Sequence, residues 1–354
     1  MSQLDDTIAA IRPVSDQHDA AIQAQLDDLT KPRGSLGRLE ELARWFCRIR
    51  GTDRPGMPRA RICTFAGDHG VAQRSVSAFP QAVTAQMVRN MLAGGAAVNV
   101  LAAESGAGVE VIDVGVADPL EGAPEQLVRR KVRPGTADLS RGPAMTTDQA
   151  HSALAVGIER AQQAAADGID LLGTGEMGIA NTTAASALFA ALLGLEAGAI
   201  CGRGTGIDDV TLAHKIVVVE QALARHRCDA DTDPLKVLAR LGGLEIAAIA
   251  GLVLGAAAQR IPVLVDGFIS CAGALVAWRL APSARDYCMF SHRSAENGHA
   301  AACAATGARP LLDLDLRLGE GTGAALAMHL VSAAIAAYTR MATFSAAGVS
   351  DRDR

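Results

Sequence analysis

The hydrophobic positions change rhythm along the chain. Over the first fifty residues apolar side chains recur at helical spacing in DDTIAAIR, DAAIQAQLDDLTK and GRLEELARWFCRIRG, with KPRGS (31–35) as a turn before the third segment. From Arg61 onward the chain turns to short β-prone runs, most of them closing on a polar or glycine-bearing stretch. These are RICTFAGDHG (61–70), GVEVIDVGV (108–116), GIDLLGTGEMG (168–178), IPVLVDG (261–267), YCMFSH (287–292) and PLLDLDLRLGEG (310–321). Alanine-rich stretches of helical period, such as NTTAASALFAALLG and GGLEIAAIAGLVLGAAAQ, lie between them. Short apolar strands alternating with helices predict an α/β fold with a largely parallel sheet. In such sheets ligands bind outside the carboxyl ends of the strands. The unusual polar residues fall at those ends: Asp68 and His69, Glu176, Asp266, Ser291 and His292, and Glu320.

Composition narrows the function classes. With 354 residues the chain is long enough for a large core, and its 3% of aromatics means that small and aliphatic side chains must fill it. A net charge of −5 supplies no attraction for nucleic acid or an anionic membrane. The seven cysteines include no CxxC and no zinc spacing, and most sit in apolar runs, which favours a reducing cytoplasm and no metal site. MSQLDDTIAAIRP lacks the order of a signal peptide. The apolar run IAAIAGLVLGAAA (246–258) is too short and glycine-rich to span a bilayer, and His329 and Arg340 interrupt the C-terminal helix; both read as core helices.

Three glycine-bearing motifs suggest chemistry. GTGEMG (173–178) matches G-x-G-x-x-G between a strand and a helix, but Glu176 would aim a carboxylate at a pyrophosphate, and Glu196 is poorly placed to hold a ribose. A narrower reading uses Gly175 and Gly178 for close backbone approach to a ligand, and the helix start at Asn181, Thr182 and Thr183 for one phosphate. GRGTGIDD (202–209) followed by Lys215 is a plausible monophosphate site; a flexible turn with an exposed lysine is the plain alternative. In SHRSAENG (291–298), Ser291 or Ser294 is free to donate to an anion, and His292 is either a base or a capping residue. Asp68 and His69 are adjacent and so are not expected to point together, and no nucleophile elbow is present. LRLGEGTGAALAM sets Glu320 between Gly319 and Gly321, after an expected buried strand.

Taken in order, AGDHGVA, VSAFPQAVTAQMV, GGAAVNVLA, GTGEMGIANTT, GRGTG with its lysine, VLVDGF, SHRSAE and LRLGEGTGAALAM resemble the nicotinate-nucleotide–dimethylbenzimidazole phosphoribosyltransferase family from about Lys31 to the C-terminal helix. The resemblance implies a Rossmann-like, mostly parallel sheet flanked by helices. A small helical domain would come from residues 1–50 and 321–354, around an α/β domain over 51–320 that carries the site. It also implies a homodimer that needs no cofactor or metal and binds small-molecule substrates. The implied reaction moves 5-phosphoribose from nicotinate mononucleotide to 5,6-dimethylbenzimidazole, with inversion at C1′, in cobalamin biosynthesis. Glu320 matches the general base and Glu176 the second carboxylate. Gly178, Gly204, Lys215 and Ser294 match phosphate-binding positions, and Met177 and Leu318 match apolar residues against the base. Some members carry a polar residue at the position of Phe79 and a glutamine at that of Met87. Here Phe79, Gln81 and Met87 give an apolar pocket with one polar group. The competing expectations are an NAD-dependent oxidoreductase, resting on GTGEMG alone, and a non-catalytic nucleotide sensor using the same loops.

Overall fold

The computed structural model describes residues 2–350. The strands are β1 (Ala60–Gly67), β2 (Gly108–Gly115), β3 (Val128–Arg129), β4 (Leu171–Met177), β5 (Val263–Val265) and β6 (Cys288–Phe290). They form one sheet in the order β3-β2-β1-β4-β5-β6, every pairing parallel. The order reverses between β1 and β4, which opens a crevice at the carboxyl ends of these strands.

Both faces of the sheet are covered, and the period of two in each strand assigns its side chains to one face or the other. Cys63 and Phe65 of β1 pack into a core built largely from the helices Thr147–Ala166, Asn181–Leu193, Leu244–Ala258 and Phe268–Leu280. Their neighbours Ile62 and Ala66 face a second core. It is shared by the helices Asp19–Asp28, Arg38–Arg50, Val83–Leu92, Ala97–Glu104 and Thr322–Arg340. Alanine and glycine let these helices lie close, which is how a chain so poor in aromatics fills its interior. The two ends of the chain meet. Leu29 and Thr343 form an antiparallel bridge, and the Tyr338 hydroxyl donates to the Asp53 carbonyl at 2.8 Å. By length and composition the helix Thr322–Arg340 is apolar enough to cross a membrane, but more than half of it is buried inside this protein against the second core.

Two sequence expectations need correction, and one strand lies where none was expected. The run 310–318 is no buried strand: it meets the end of β6 through the Leu311 amide, which donates to the Phe290 carbonyl, and one bridge, His292 to Leu312, while Asp313, Leu314, Asp315 and Leu318 are exposed. Leu311 and Leu312 pack in part against the second core, but beyond them the leucine–acid alternation leaves Leu314 and Leu318 exposed. The short β3, unmarked by any apolar run, was not anticipated. GTGEMG is no loop either, because β4 runs through Met177. A Cβ on Gly173 would lie 3.1 Å from the Ala324 Cβ and 2.9 Å from the Met328 methyl, and one on Gly175 would lie 2.3 Å from the Glu320 carbonyl oxygen. These glycines bring the C-terminal helix and its preceding turn onto the strand. Gly175 therefore accommodates protein backbone, not a ligand.

Candidate active site

Glu320 sits in a turn that few sequences can make. Gly319, Glu320 and Gly321 are consecutive left-handed residues, with φ of 88°, 65° and 103°. The middle one is not glycine, a conformation held only where its surroundings enforce it. Those surroundings are specific. The Thr64 hydroxyl donates to the Glu320 carbonyl at 2.8 Å, and Asp266 accepts from the Gly321 and Ala324 amides at 3.1 and 3.0 Å. Asp266 thus binds the first turn of the helix Thr322–Arg340, where the helix dipole favours an anion. Gly319 is required for a second reason: a Cβ there would stand 2.2 Å from Glu176 Oε1. A Cβ at Gly323 would in turn collide with His292 Nδ1 at 1.9 Å. The glycines of GEGTG clear space for the side chains that share the site.

The Glu320 carboxylate points to the start of the helix Ala97–Glu104, where Oε2 accepts from the Val98 amide at 3.4 Å. Burial pushes its pKa above 4.5, the Val98 bond opposes this, and the Asp266 charge adds to it. Glu176, in β4 and 6% exposed, is shifted further. Burial raises it first, then the charges of Asp266 and Glu245; the bond from Asn181 Nδ2 to Oε2 opposes, and Glu320 adds a little, leaving it at about 8. Near neutral pH Glu176 is therefore largely protonated. Carboxylates gathered in a crevice, with pKa values raised by burial and by one another's charge, are candidates for a functional site.

These groups line a cavity of about 310 Å³, near the lower end of small-molecule sites. Phe79, Met87, Met177 and Leu318 form its apolar side. Gly178, Gly204 and Ser294 also border it, as do Thr182, His292, Glu296 and Arg317. Phe79 and Leu318 stand at the mouth, 50% and 58% exposed.

Two of the residues expected from the sequence stand apart from the cavity wall. Gln81 is not among the lining residues. Lys215 is fully buried beneath the glycine loop, where its Nζ donates to Thr182 Oγ1 at 2.8 Å and to the Gly202 carbonyl at 3.0 Å. That excludes the exposed-lysine alternative. Gly178 faces protein: a Cβ there would lie 2.3 Å from the Gly67 carbonyl oxygen. Ser291 is also turned inward, its hydroxyl 3.0 Å from His292 Nδ1, so the serine bordering the cavity is Ser294. Asp68 and His69 do part. Asp68 accepts from Ala117 N at 2.7 Å, while His69 Nε2 lies 2.6 Å from Glu245 Oε1 in a fully buried pair. Sequence reading overlooked Glu296 and Arg317, although both lie inside motifs it singled out. Their signal was proximity to Ser294 and Glu320.

Residues 11–349 match a family model described as phosphoribosyltransferase. The nicotinate-nucleotide–dimethylbenzimidazole phosphoribosyltransferase of Chlorobium chlorochromatii is 57% identical over 99% of this chain and 98% of its own. That of Chloroflexus aggregans is 55% identical over 99% of both chains. A crystal structure of CobT from Thermus thermophilus superposes with a TM-score of 0.89 at 48% identity, covering 98% of this chain and 99% of the other. Identity of this order along the whole length, together with the same fold, decides the family. The chain belongs to the nicotinate-nucleotide–dimethylbenzimidazole phosphoribosyltransferases.

Proposed function

We propose that this protein transfers 5-phosphoribose from nicotinate mononucleotide to 5,6-dimethylbenzimidazole, releasing nicotinate and α-ribazole 5′-phosphate, in cobalamin biosynthesis. The observation that carries the reading is that two buried carboxylates, Glu320 and Glu176, line one cavity, which Phe79, Met87, Met177 and Leu318 make partly apolar and which the glycine loop at Gly204 borders. The flat base lies against Phe79, Met87, Met177 and Leu318. One ring nitrogen attacks C1′ of the ribose while the other gives its proton to Glu320. The bond from C1′ to the pyridinium nitrogen breaks, and its electron pair neutralises the departing ring. Attack opposite the leaving group inverts C1′.

A carboxylate whose pKa is raised by burial is a better general base than one in water. Orientation supplies much of the remaining acceleration. Glu176 meets the cationic ribosyl-pyridinium portion of the substrate. Positive charge nearby favours the ionised carboxylate, so substrate binding draws off its proton and sets an anion beside the charge that develops at C1′. Gly204, Ser294 and the buried Lys215 hold the 5′-phosphate, with Gly178 shaping the adjoining turn. No step of this chemistry calls on a metal or cofactor.

The helices near both chain ends act as a small domain, supported by the packing of Arg38–Arg50 with Thr322–Arg340. A homodimer covers the exposed Phe79 and Leu318. A cytoplasmic setting fits a chain most of whose cysteines are buried among apolar side chains as small hydrophobes. Incubation with nicotinate mononucleotide and dimethylbenzimidazole, followed by mass analysis, tests the reading. The expected products are nicotinate and the benzimidazole ribotide, with the α-anomer identified by proton NMR. Absence of the ribotide, or a β-anomer, refutes it.

A further inference from the structure

Glu296 stands where an anion belongs. It precedes the helix Asn297–Thr306, is 7% exposed, and its Oε1 accepts from the Gly204 backbone amide at 2.6 Å. A Cβ on Gly202 would lie 2.6 Å from Glu296 Oε2, so the glycine loop closes directly over the carboxylate. The Lys215 ammonium supports the same loop through the Gly202 carbonyl, and a Cβ on Gly204 would lie 3.7 Å from it. Thr182, Thr205 and Ser294 border the cavity at this end. Loop amides backed by a lysine form an anion cradle. One of those amides is already taken by a side chain of this protein.

A phosphate seated against Gly204 and Lys215 cannot share the amide with Glu296, because one N–H serves one strong acceptor and both groups are anions. We propose that Glu296 sets the phosphate affinity of the site: its carboxylate competes with the 5′-phosphate for the Gly204 amide, and a phosphorylated ligand binds by displacing it. The proposal rests on the reading of residues 202–206 and Lys215 as the phosphate cradle. Its consequence is kinetic economy. The cradle stays ordered by its own carboxylate, and the returning carboxylate helps expel the phosphorylated product.

Glu296→Gln separates charge from shape, since the amide oxygen of glutamine still accepts from Gly204 and keeps the loop anchored. Inorganic phosphate is titrated calorimetrically into wild type, Glu296→Gln and Lys215→Met. Charge-assisted contacts are about twice as strong as neutral ones, so the glutamine variant should bind phosphate roughly tenfold more tightly or better. Inhibition by the phosphorylated product should rise in parallel. Unchanged or weaker phosphate binding in Glu296→Gln overturns the proposal. Equal binding by wild type and Lys215→Met instead overturns the underlying cradle, so the two failures read differently. If the glutamine variant does not fold, a crystal structure of the wild type with phosphate decides. Phosphate beside Lys215 with Glu296 displaced from Gly204 supports the proposal; Glu296 still bonded to that amide refutes it.

Discussion

Glu176 makes a quantitative claim about stability. Its carboxyl holds a proton up to about pH 8 in the folded protein, whereas in the unfolded chain it releases it near 4.5. Between those values the native state binds more protons, so stability is fully present below 4.5 and falls as pH rises through 8. At 1.36 kcal/mol per pH unit, the full effect approaches about 5 kcal/mol. The side chain is almost wholly buried, so little of this is lost to solvent screening. Glu176→Gln keeps the shape and an acceptor for Asn181 but cannot ionise. Relative to wild type, the variant should gain little at about pH 5 and several kcal/mol, with a ceiling of about 5, at about pH 9. Urea unfolding of both proteins across this range measures it, since most other titrations are common to the two. A difference independent of pH, or a wild type that gains on the variant as pH rises, refutes the reasoning. Activity should fall in the variant at every pH, because glutamine cannot become the anion assigned to Glu176 in the reaction.

Other expectations follow from the same geometry. Glu320→Gln should lower kcat by roughly 10²–10⁴ without unfolding the protein, and in wild type kcat should rise with pH through a midpoint above 4.5; near-wild-type turnover in the variant sinks the assignment. Gly319→Ala should cost at least about 1–3 kcal/mol from its left-handed backbone alone. Its collision with Glu176 adds to that, and the check is the unfolding midpoint together with kcat. Benzimidazole should remain a substrate with modestly lower kcat/KM, since each buried methyl is worth about 0.8 kcal/mol. Phe79→Ser should narrow the gap between the two bases, and an unchanged ratio places Phe79 outside the base pocket.

The alternation of apolar strands with alanine-rich helices determined the α/β class, and β1, β2 and β4, buried along most of their length, each correspond to a β-prone run visible in the sequence. Strand neighbours are a different matter. The order β3-β2-β1-β4-β5-β6 joins β1 to β4 across more than a hundred residues, and local periodicity carries no information about pairing at that range. The run 310–318 shows the limit from the other side. Its leucine–acid alternation is strand-like, yet burial depends on a covering layer that only the assembled fold provides or withholds.

The site divides in the same way. Glycines around Glu320 and the motif carrying Glu176 were visible as residues, so the candidate carboxylates could be named from the sequence. That Gly319 exists to admit the Glu176 carboxylate was not visible, because the two are 143 positions apart and meet only when the C-terminal helix lies on β4. Lys215 was legible as a cation near a glycine loop, but its burial under that loop depends on how the helix Asp209–His226 packs. Glu296 went unread for the same cause. A carboxylate's role is set by the amide or charge beside it, and Gly204, its partner, lies 92 residues away along the chain but 2.6 Å away in space.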